Sequence, residues 1–263
     1  MKLATFLSSG GAALPAVVRD GRLLSLQPAG FSSLLEIIAS APASLDRIRR
    51  HLETAPDPGI ALDSAVLLAP VPRPPKILCA GLNYRDHAAE AKMEIPSVPT
   101  IFSKYHNAII GPGAPIILPK NTQKPDYEAE FAFVIGRGGR HIPAERWRDH
   151  VFGYLCFNDV SARDVQLATS QWLMGKTFDN FAPTGPWITT ADEIADPHSL
   201  SIELFLNGER MQGSNTRELI FKIPDLVAFI SSVLTLEPGD IIATGTPAGV
   251  CLLYTSDAAD DLL

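Results

Sequence analysis

Acidic residues occupy alternate positions at the start of the stretch PDYEAEFAFVIG, residues 125–136. In an extended strand alternate side chains point to the same face, so Asp126, Glu128 and Glu130 are predicted to lie in a row. Neighbouring carboxylates in such a row are about 7 Å apart and repel one another unless a cation lies between them. The row indicates either a solvent-facing strand or a site for a hard cation such as Mg²⁺, which binds through carboxylate oxygens.

A further acidic residue could complete such a cation site. Asp159 follows the apolar run that ends in YLCFND, where the end of a strand would present a ligand. The alternative is that Asp159 caps a helix over SARDVQ, because aspartate is among the preferred N-cap residues. The residues by themselves leave both interpretations open.

A histidine and a glutamate are spaced for a helix in GLNYRDHAAE, residues 81–90. The glycine ends a predicted strand, KILCA, and His87 and Glu90 lie three positions apart on the short helix that follows, so they share a face. The glutamate can orient the imidazole for use as a base at neutral pH. The alternative is a surface pair without chemistry, which is the more common case for an isolated pair.

Two lysines and a threonine stand in contexts that favour a binding site. Lys176 lies among Trp, Met and Phe in QWLMGKTFDN, and Lys104 follows the apolar run IFS. Such a lysine either extends its ammonium group to solvent or belongs to a site. Thr246, in the Gly-Thr-Pro turn after DIIAT, could hold a carboxylate through its hydroxyl and backbone N–H, or could form only a turn.

The composition excludes several classes of function. The chain has 263 residues, 46% hydrophobic and 19% charged, which is enough for a substantial core. The net charge of −7 argues against a nucleic-acid or anionic membrane partner. We find no apolar run long enough for a transmembrane helix and no secretory signal. Cys79, Cys156 and Cys251 are widely spaced, which argues against disulfides and zinc and favours a reducing cytoplasm.

A proline-rich stretch, APVPRPPK at 69–76, separates two regions of the chain. Before it, Asp20-Gly21 predicts a β-hairpin over 14–26, and after it short apolar runs alternate with glycine and proline, which predicts mainly strands. One longer helix is predicted over 223–236. The predicted class is therefore α+β, mostly β, with a small N-terminal α+β domain at 1–70 and a catalytic domain at 71–250.

The last thirteen residues, CLLYTSDAADDLL, differ from what precedes them. They show neither strand alternation nor a helical stripe, and they resemble the translation of a sequencing-library adapter. We therefore predict that residues 251–263 form a non-native tail and exclude them from functional reasoning. A genuine but divergent end of the domain is the alternative.

Five segments together resemble the fumarylacetoacetate hydrolase family. They particularly resemble its smaller branch, the fumarylacetoacetate hydrolase domain-containing proteins. They are GLNYRDHAAE, DYEAEFAFVIG, NDVSARDVQ, GKTFDNFAPTGP and GDIIATGTPAGV, in the family's order and at similar spacings over roughly residues 72–250. The resemblance implies a mixed, rolled β-sheet and a homodimer. It also implies closing strands after TPAGV, which we expect to be missing here.

The resemblance further implies a role for each matching residue. Glu128, Glu130 and Asp159 would bind Mg²⁺ or Mn²⁺. His87 and Glu90 would lie on a mobile lid and activate water or move a proton. The remaining matches are Lys176, as a catalytic residue beside the metal, and Lys104, Arg163, Gln166 and Thr246, as contacts to the substrate.

The implied chemistry is that of a small 2-oxo acid whose keto group is polarised by the metal. The first hypothesis is a cytoplasmic hydrolase that cleaves a C–C bond in a β-diketo acid of the acylpyruvate or fumarylacetoacetate type. Alternatives on the same site are an oxaloacetate decarboxylase or tautomerase, and an isomerase or hydratase of dienoates from aromatic catabolism. A truncated chain that binds its ligand without turnover is the last alternative.

Overall fold

A computed structural model of the chain describes residues 1–54 and 58–251. The strands in these residues are β1 Lys2–Leu7, β2 Ala13–Arg19, β3 Arg22–Ser25, β4 Ile60–Ala61, β5 Leu67–Leu68, β6 Ile77–Gly81, β7 Thr100–Lys104, β8 Ile109–Ile110, β9 Pro125–Asp126, β10 Ala129–Ile135, β11 Val151–Asn158, β12 Ser161–Ala162, β13 Ala182–Thr190, β14 Ser201–Leu206, β15 Glu209–Asn215 and β16 Ile241–Ala243. The α-helices are α1 Leu34–Ala39, α2 Ala43–Thr54, α3 Arg85–Glu90, α4 Arg163–Gln166, α5 Leu173–Lys176 and α6 Ile223–Val233.

Twelve of the strands form one mixed sheet. Its order is β4-β3-β2-β1-β13-β11-β10-β16-β6-β7, with β5 paired to β1 and β8 paired to β13. The pairs β16–β6 and β13–β8 are parallel, and the other pairs of this sheet are antiparallel. Two small ladders, β12–β9 and β14–β15, lie outside it. This confirms the predicted α+β class dominated by β-structure.

The N-terminal strands join the same sheet as the rest of the chain. Strand β1 pairs with β13, with Leu3 opposite Ile188. The predicted hairpin is confirmed, since β2 and β3 meet at Asp20 and Gly21, which have φ values of 51° and 71°. Two positive φ values in succession suit the tight hairpin turns that match strand twist. The division into domains at residue 70 stays a prediction.

Strand β10 is packed on both faces. Ala132 and Val134 belong to a core that includes helix α1, whereas Phe133 and Ile135 belong to a second core built on helix α6. Each fully buried aliphatic or aromatic side chain in such a core contributes about 1.5–3 kcal/mol. The alternation places Glu130 on the same face as Ala132 and Val134. The strand that carries Glu130 is thus packed against a hydrophobic core on each of its faces.

The alternation of acidic residues predicted one continuous strand, but the structure divides this stretch into two strands. Asp126 belongs to β9, which pairs with β12, and β10 begins only at Ala129. The ladder is interrupted because Glu128 is held differently: its N–H donates to Oδ1 of Asn158 at 3.0 Å. The predicted helix over 223–236 is confirmed as α6, which ends at Val233.

Within the ranges 1–54 and 58–251, no helix combines the length and the apolar character that crossing a bilayer requires. The predicted tail lies outside the described residues except for Cys251. The N–H of Cys251 donates to Asp126, at 3.1 Å from Oδ1.

Candidate metal centre

Three carboxylates converge at one point of the sheet. Glu128, Glu130 and Asp159 each offer an oxygen, and these oxygens lie within 4.8 Å of one another. All three residues are buried, with exposed fractions of 7%, 3% and 0%. The interpretation of a solvent-facing strand is therefore wrong. Three buried carboxylates require compensating charge, because an isolated buried charge is very costly.

Antiparallel pairing explains how the carboxylates meet. Ala129 on β10 lies opposite Asn158, the last residue of β11, so Asp159 emerges beside Glu128. The N–H of Asp159 donates to the carbonyl of Glu128 at 2.9 Å. The alternative that Asp159 caps a helix is wrong, because helix α4 begins at Arg163.

Two buried lysines compensate part of this charge. The Nζ atom of Lys176 lies 2.8 Å from Oε2 of Glu128 and 2.8 Å from Oδ2 of Asp159. The Nζ atom of Lys104 lies 2.5 Å from Oδ1 of Asp159. Burial lowers the pKa of Lys176, but the charges of Asp159 and Glu128 outweigh it and raise that pKa above its usual value. Lys176 therefore carries a positive charge at neutral pH.

Arg163 lies between two of the acidic residues. Its Nη2 is 2.6 Å from Oδ2 of Asp126, and its Nη1 is 2.6 Å from Oε1 of Glu128. Nη1 also donates to Oε1 of Gln166 at 2.9 Å. This guanidinium is the cation that the acidic row requires. Substrate contact by Arg163, Gln166 and Lys104 stays a prediction.

Glu130 differs from its two neighbours, because no ion pair to it exists within the described part of the chain. Its Oε2 instead accepts the N–H of Gly245 at 2.8 Å. Burial, together with the charges of Asp159 and Glu128, raises its pKa well above the usual value. Burial also opposes ionisation of Glu128, but Lys176 and Arg163 outweigh it and lower that pKa to about 2.

The donor set fits a divalent cation such as Mg²⁺ or Mn²⁺. It consists of carboxylate oxygens, the ligands that hard cations prefer. Ligand oxygens on Mg²⁺ lie about 3–4 Å apart, given bonds of about 2.1 Å, so a small inward movement of these side chains suffices. Glu130 has no ion-pair partner among the described residues, so its carboxylate would be free to bind the ion once its proton is displaced.

A loop and a hairpin hold the strand between the two glutamates. Oγ1 of Thr246 donates to the carbonyl of Ala129 at 3.0 Å. Gln212 accepts the N–H of Ala129 at 2.8 Å and donates to Thr246 Oγ1 at 2.8 Å. Gly245 has a φ of +97°, the left-handed region that favours glycine, and its N–H points at Glu130. The sequence indicated Thr246 as a candidate site residue, but nothing in the sequence of the polar hairpin indicated a role for Gln212.

Helix α3 brings the histidine–glutamate pair onto the same loop. Nδ1 of His87 lies 3.6 Å from Oε2 of Glu90, which is too long for a hydrogen bond. That Nδ1 is buried and has no hydrogen-bond partner among residues 1–54 and 58–251. The Glu90 carboxylate accepts the N–H of Gly249, at 3.1 Å from its Oε2. The predicted shared helix face is present, and the pair docks on the loop that holds Glu130.

A groove of about 730 Å³ borders strands β10 and β11. Its walls include Phe131, Tyr154 and Cys156, which lie on the strand face opposite to Ala132 and Val134. Ala129 and Glu130 also line the groove, although the alternation of β10 places the Glu130 side chain on the face of Ala132 and Val134.

Comparison with known proteins gives a family match over most of the chain. The family described as Fumarylacetoacetate (FAA) hydrolase C-terminal matches residues 76–262. A curated relative, the mitochondrial oxaloacetate tautomerase FAHD2B of Bos taurus, is 45% identical over 230 residues, which cover 87% of this chain and 73% of the relative.

Solved structures share the fold. Maleylpyruvate hydrolase from Sphingobium sp. SYK-6, in complex with manganese(II) and pyruvate, aligns with a TM-score of 0.82 at 33% identity, covering 95% of this chain and 90% of the other. The 2-hydroxyhepta-2,4-diene-1,7-dioate isomerase from Mycobacterium marinum aligns with a TM-score of 0.74 at 34% identity, covering 95% and 88%. All three relatives are enzymes by name.

Proposed function

This chain belongs to the fumarylacetoacetate hydrolase family, and from that premise we propose that it is a divalent-metal-dependent oxaloacetate tautomerase. The observation that carries the proposal is the convergence of Glu128, Glu130 and Asp159 at one buried point. The names of the relatives support an enzyme that acts on a small acid, and the tautomerase is the relative with the higher identity. This reverses the order of the sequence-based hypotheses, in which C–C hydrolysis came first.

The three carboxylates would hold Mg²⁺ or Mn²⁺. When bound, the ion supplies a Lewis acid that polarises the keto group of the substrate and favours negative charge on its oxygen. The manganese(II) named with the maleylpyruvate hydrolase structure supports this class of ion. Lys176, protonated between Glu128 and Asp159, adds a second positive charge beside that oxygen.

The proposed reaction moves one proton within the substrate. A C–H bond breaks on the carbon next to the keto group, an O–H bond forms on the keto oxygen, and a C=C bond replaces the C=O bond. His87 is the proposed base: it takes the carbon proton on a ring nitrogen and returns a proton to the oxygen. Glu90 lies on the same helix face, with its Oε2 3.6 Å from Nδ1 of His87, and would orient the ring for these two steps.

The other predicted site residues have a supporting role in this proposal. Lys104 and Arg163 hold Asp159 and Glu128 in place through their ion pairs. Thr246 holds the peptide of Ala129. Direct contact of these residues or of Gln166 with the substrate belongs to the proposal and awaits a complex with an oxalate-type inhibitor.

The decisive experiment follows the keto–enol interconversion of oxaloacetate by its ultraviolet absorbance. We expect the purified chain to accelerate it with Mg²⁺ or Mn²⁺, to lose this activity in EDTA, and to regain it when metal is restored. The Glu130→Ala variant is expected to be inactive in every condition. Activity that survives thorough chelation would refute the metal-dependent mechanism.

C–C hydrolysis is the second candidate, and the likeness to maleylpyruvate hydrolase favours it. In that reaction His87 would take a proton from water instead of carbon. A coupled pyruvate assay on acylpyruvates distinguishes the two reactions, and the same assay on oxaloacetate detects decarboxylation. Pyruvate release without oxaloacetate tautomerisation would replace the first proposal, and absence of all three activities would favour a chain that binds without turnover.

We also propose a homodimer in the cytoplasm, as the sequence analysis predicted. The relative from Bos taurus is mitochondrial by name, so the compartment needs its own test. Light scattering coupled to size-exclusion chromatography measures the assembly, and cell fractionation of the source organism measures the compartment. A monomeric mass or a particulate location would contradict the respective part.

A further inference from the structure

We propose that Gln212 is a positioning residue of the metal centre, whose side-chain amide replaces a neighbouring β-strand at Ala129 and thereby sets the spacing of Glu128 and Glu130. This inference rests on the proposed metal-dependent function. It concerns a residue that lies more than eighty positions away from the carboxylates it would position.

The burial of Gln212 is unusual for its surroundings. The hairpin of β14 and β15 forms its own two-stranded ladder, and most of its residues are exposed or half-buried. Gln212 is the one residue of these two strands that is fully buried, with 1% of its surface exposed. A buried amide must have its hydrogen bonds satisfied, so its partners indicate its role.

The partners of this amide lie between the two glutamates and on the loop that follows Gly245. Oε1 accepts the N–H of Ala129 at 2.8 Å. Nε2 donates to Oγ1 of Thr246 at 2.8 Å and to the carbonyl of Pro247 at 3.0 Å. Only this orientation of the amide works, because the reverse would set a donor against an N–H and an acceptor against a carbonyl. Thr246 closes the ring by donating to the carbonyl of Ala129.

This ring of hydrogen bonds lies where the pairing of β10 with β16 ends. Strand β16 pairs with β10 from Ala132 to Val134, and the N–H of Thr244 makes a last bond to the carbonyl of Phe131. The chain then turns at Gly245. Both backbone groups of Ala129, which is 8% exposed, would be left without a strand partner. Gln212 takes the N–H and Thr246 takes the carbonyl, as a strand would.

The replacement of a strand by two side chains leaves room for the turn at Gly245 and still keeps the backbone of Ala129 hydrogen-bonded. A complete strand beside Ala129 would occupy the space into which Gly245 turns to reach Glu130. Two side chains satisfy the same backbone groups and leave that turn in place. Because Glu128 and Glu130 are bonded directly to Ala129, fixing its two peptide planes fixes the origin of both carboxylate side chains.

The experiment compares Gln212→Met with Arg210→Ala. Methionine keeps the length of glutamine but has no amide. Arg210 lies on the same strand, and among residues 1–54 and 58–251 its only ion pair is with Glu203 on the hairpin surface. Binding of Mn²⁺ alone is measured by electron paramagnetic resonance and calorimetry, and thermal unfolding is measured in EDTA. We expect Gln212→Met to weaken Mn²⁺ binding about 10–100-fold and to lower kcat more than it raises KM. Arg210→Ala should leave Mn²⁺ affinity unchanged.

The outcomes separate this inference from the proposed function. Failure of the wild-type chain to bind Mn²⁺ would refute both. Tight binding by the wild type and unchanged binding by Gln212→Met would overturn the positioning role alone, and a lower thermal midpoint with unchanged affinity would mean that Gln212 only anchors the hairpin. Should Gln212→Met not fold, Thr246→Val removes the second half of the ring without changing its shape, and unchanged Mn²⁺ affinity there would equally overturn the proposal.

Discussion

The Nζ atom of Lys176 lies 2.8 Å from Oε2 of Glu128, so a lysine on a four-residue helix pairs with an acidic residue 48 positions earlier. Both side chains are buried, and neither charge could be buried alone at a tolerable cost in free energy. The ammonium group of Lys176 gives the site a fixed positive charge that does not depend on the metal. Because the pair is buried, replacing either of its residues is expected to change the free energy of unfolding.

Replacing Lys176 by methionine is expected to lower the free energy of unfolding by about 3–5 kcal/mol in the absence of metal, because Glu128 and Asp159 lose a buried partner. Mg²⁺ should restore part of this loss by supplying the missing positive charge. Urea denaturation in EDTA and in Mg²⁺ measures both effects. The control is Lys120→Met, at an exposed position. A variant that gains no more stability from Mg²⁺ than the wild type would contradict this role.

Metal affinity is expected to rise with pH. The pKa of Glu130 is raised by burial and by the charges of Asp159 and Glu128, so the metal-free site retains a proton that the ion must displace. Below that pKa the apparent affinity for Mn²⁺ should increase about tenfold per pH unit, and above it the affinity should level off. Calorimetry in two buffers of different ionisation enthalpy measures the released proton. The prediction fails if affinity is independent of pH or if Glu130→Gln releases as many protons as the wild type.

The His87→Ala variant is expected to lose about 100–10,000-fold in kcat, because the proposed base is gone. Mn²⁺ affinity should stay unchanged, since the nearest charged partner of the ring is Glu90 at 3.6 Å and not a carboxylate of the metal centre. Steady-state kinetics and metal titration measure the two quantities. His51→Ala, on helix α2, is the control. Equal losses in metal affinity and kcat would show that His87 acts on the metal centre itself.

Gly175 is expected to tolerate no side chain. A Cβ there would lie 2.4 Å from the backbone N of Gln166 and 2.5 Å from its Cα. Alanine is the better helix former by about 1 kcal/mol, but a clash with backbone outweighs this gain. Gly175→Ala should therefore displace Lys176, lower the thermal midpoint and reduce activity. Gly10→Ala, where the nearest atom is 3.9 Å away, is the control, and equal behaviour of the two variants would contradict the prediction.

Local rules predicted the part of the site that lies within single segments. The two-residue period of a strand placed Glu128 and Glu130 together, and the helical spacing placed His87 and Glu90 on one face. The motif resemblance predicted the family and the mostly β fold, and both are confirmed. The same strand rule failed for Asp126, because the ladder is interrupted before Ala129 by a side chain from another strand.

The sequence by itself determined the kind of chemistry available, since carboxylates at alternate positions and a helical histidine are local patterns that survive in any fold with those elements. Only the tertiary structure decided which groups share one buried site. Lys176 and Gln212 reach Glu128 and Ala129 across long stretches of chain, and no local periodicity encodes such contacts. The physical reason is that the charge and hydrogen-bond balance of a buried site is satisfied in space, by whichever strand ends the sheet brings together.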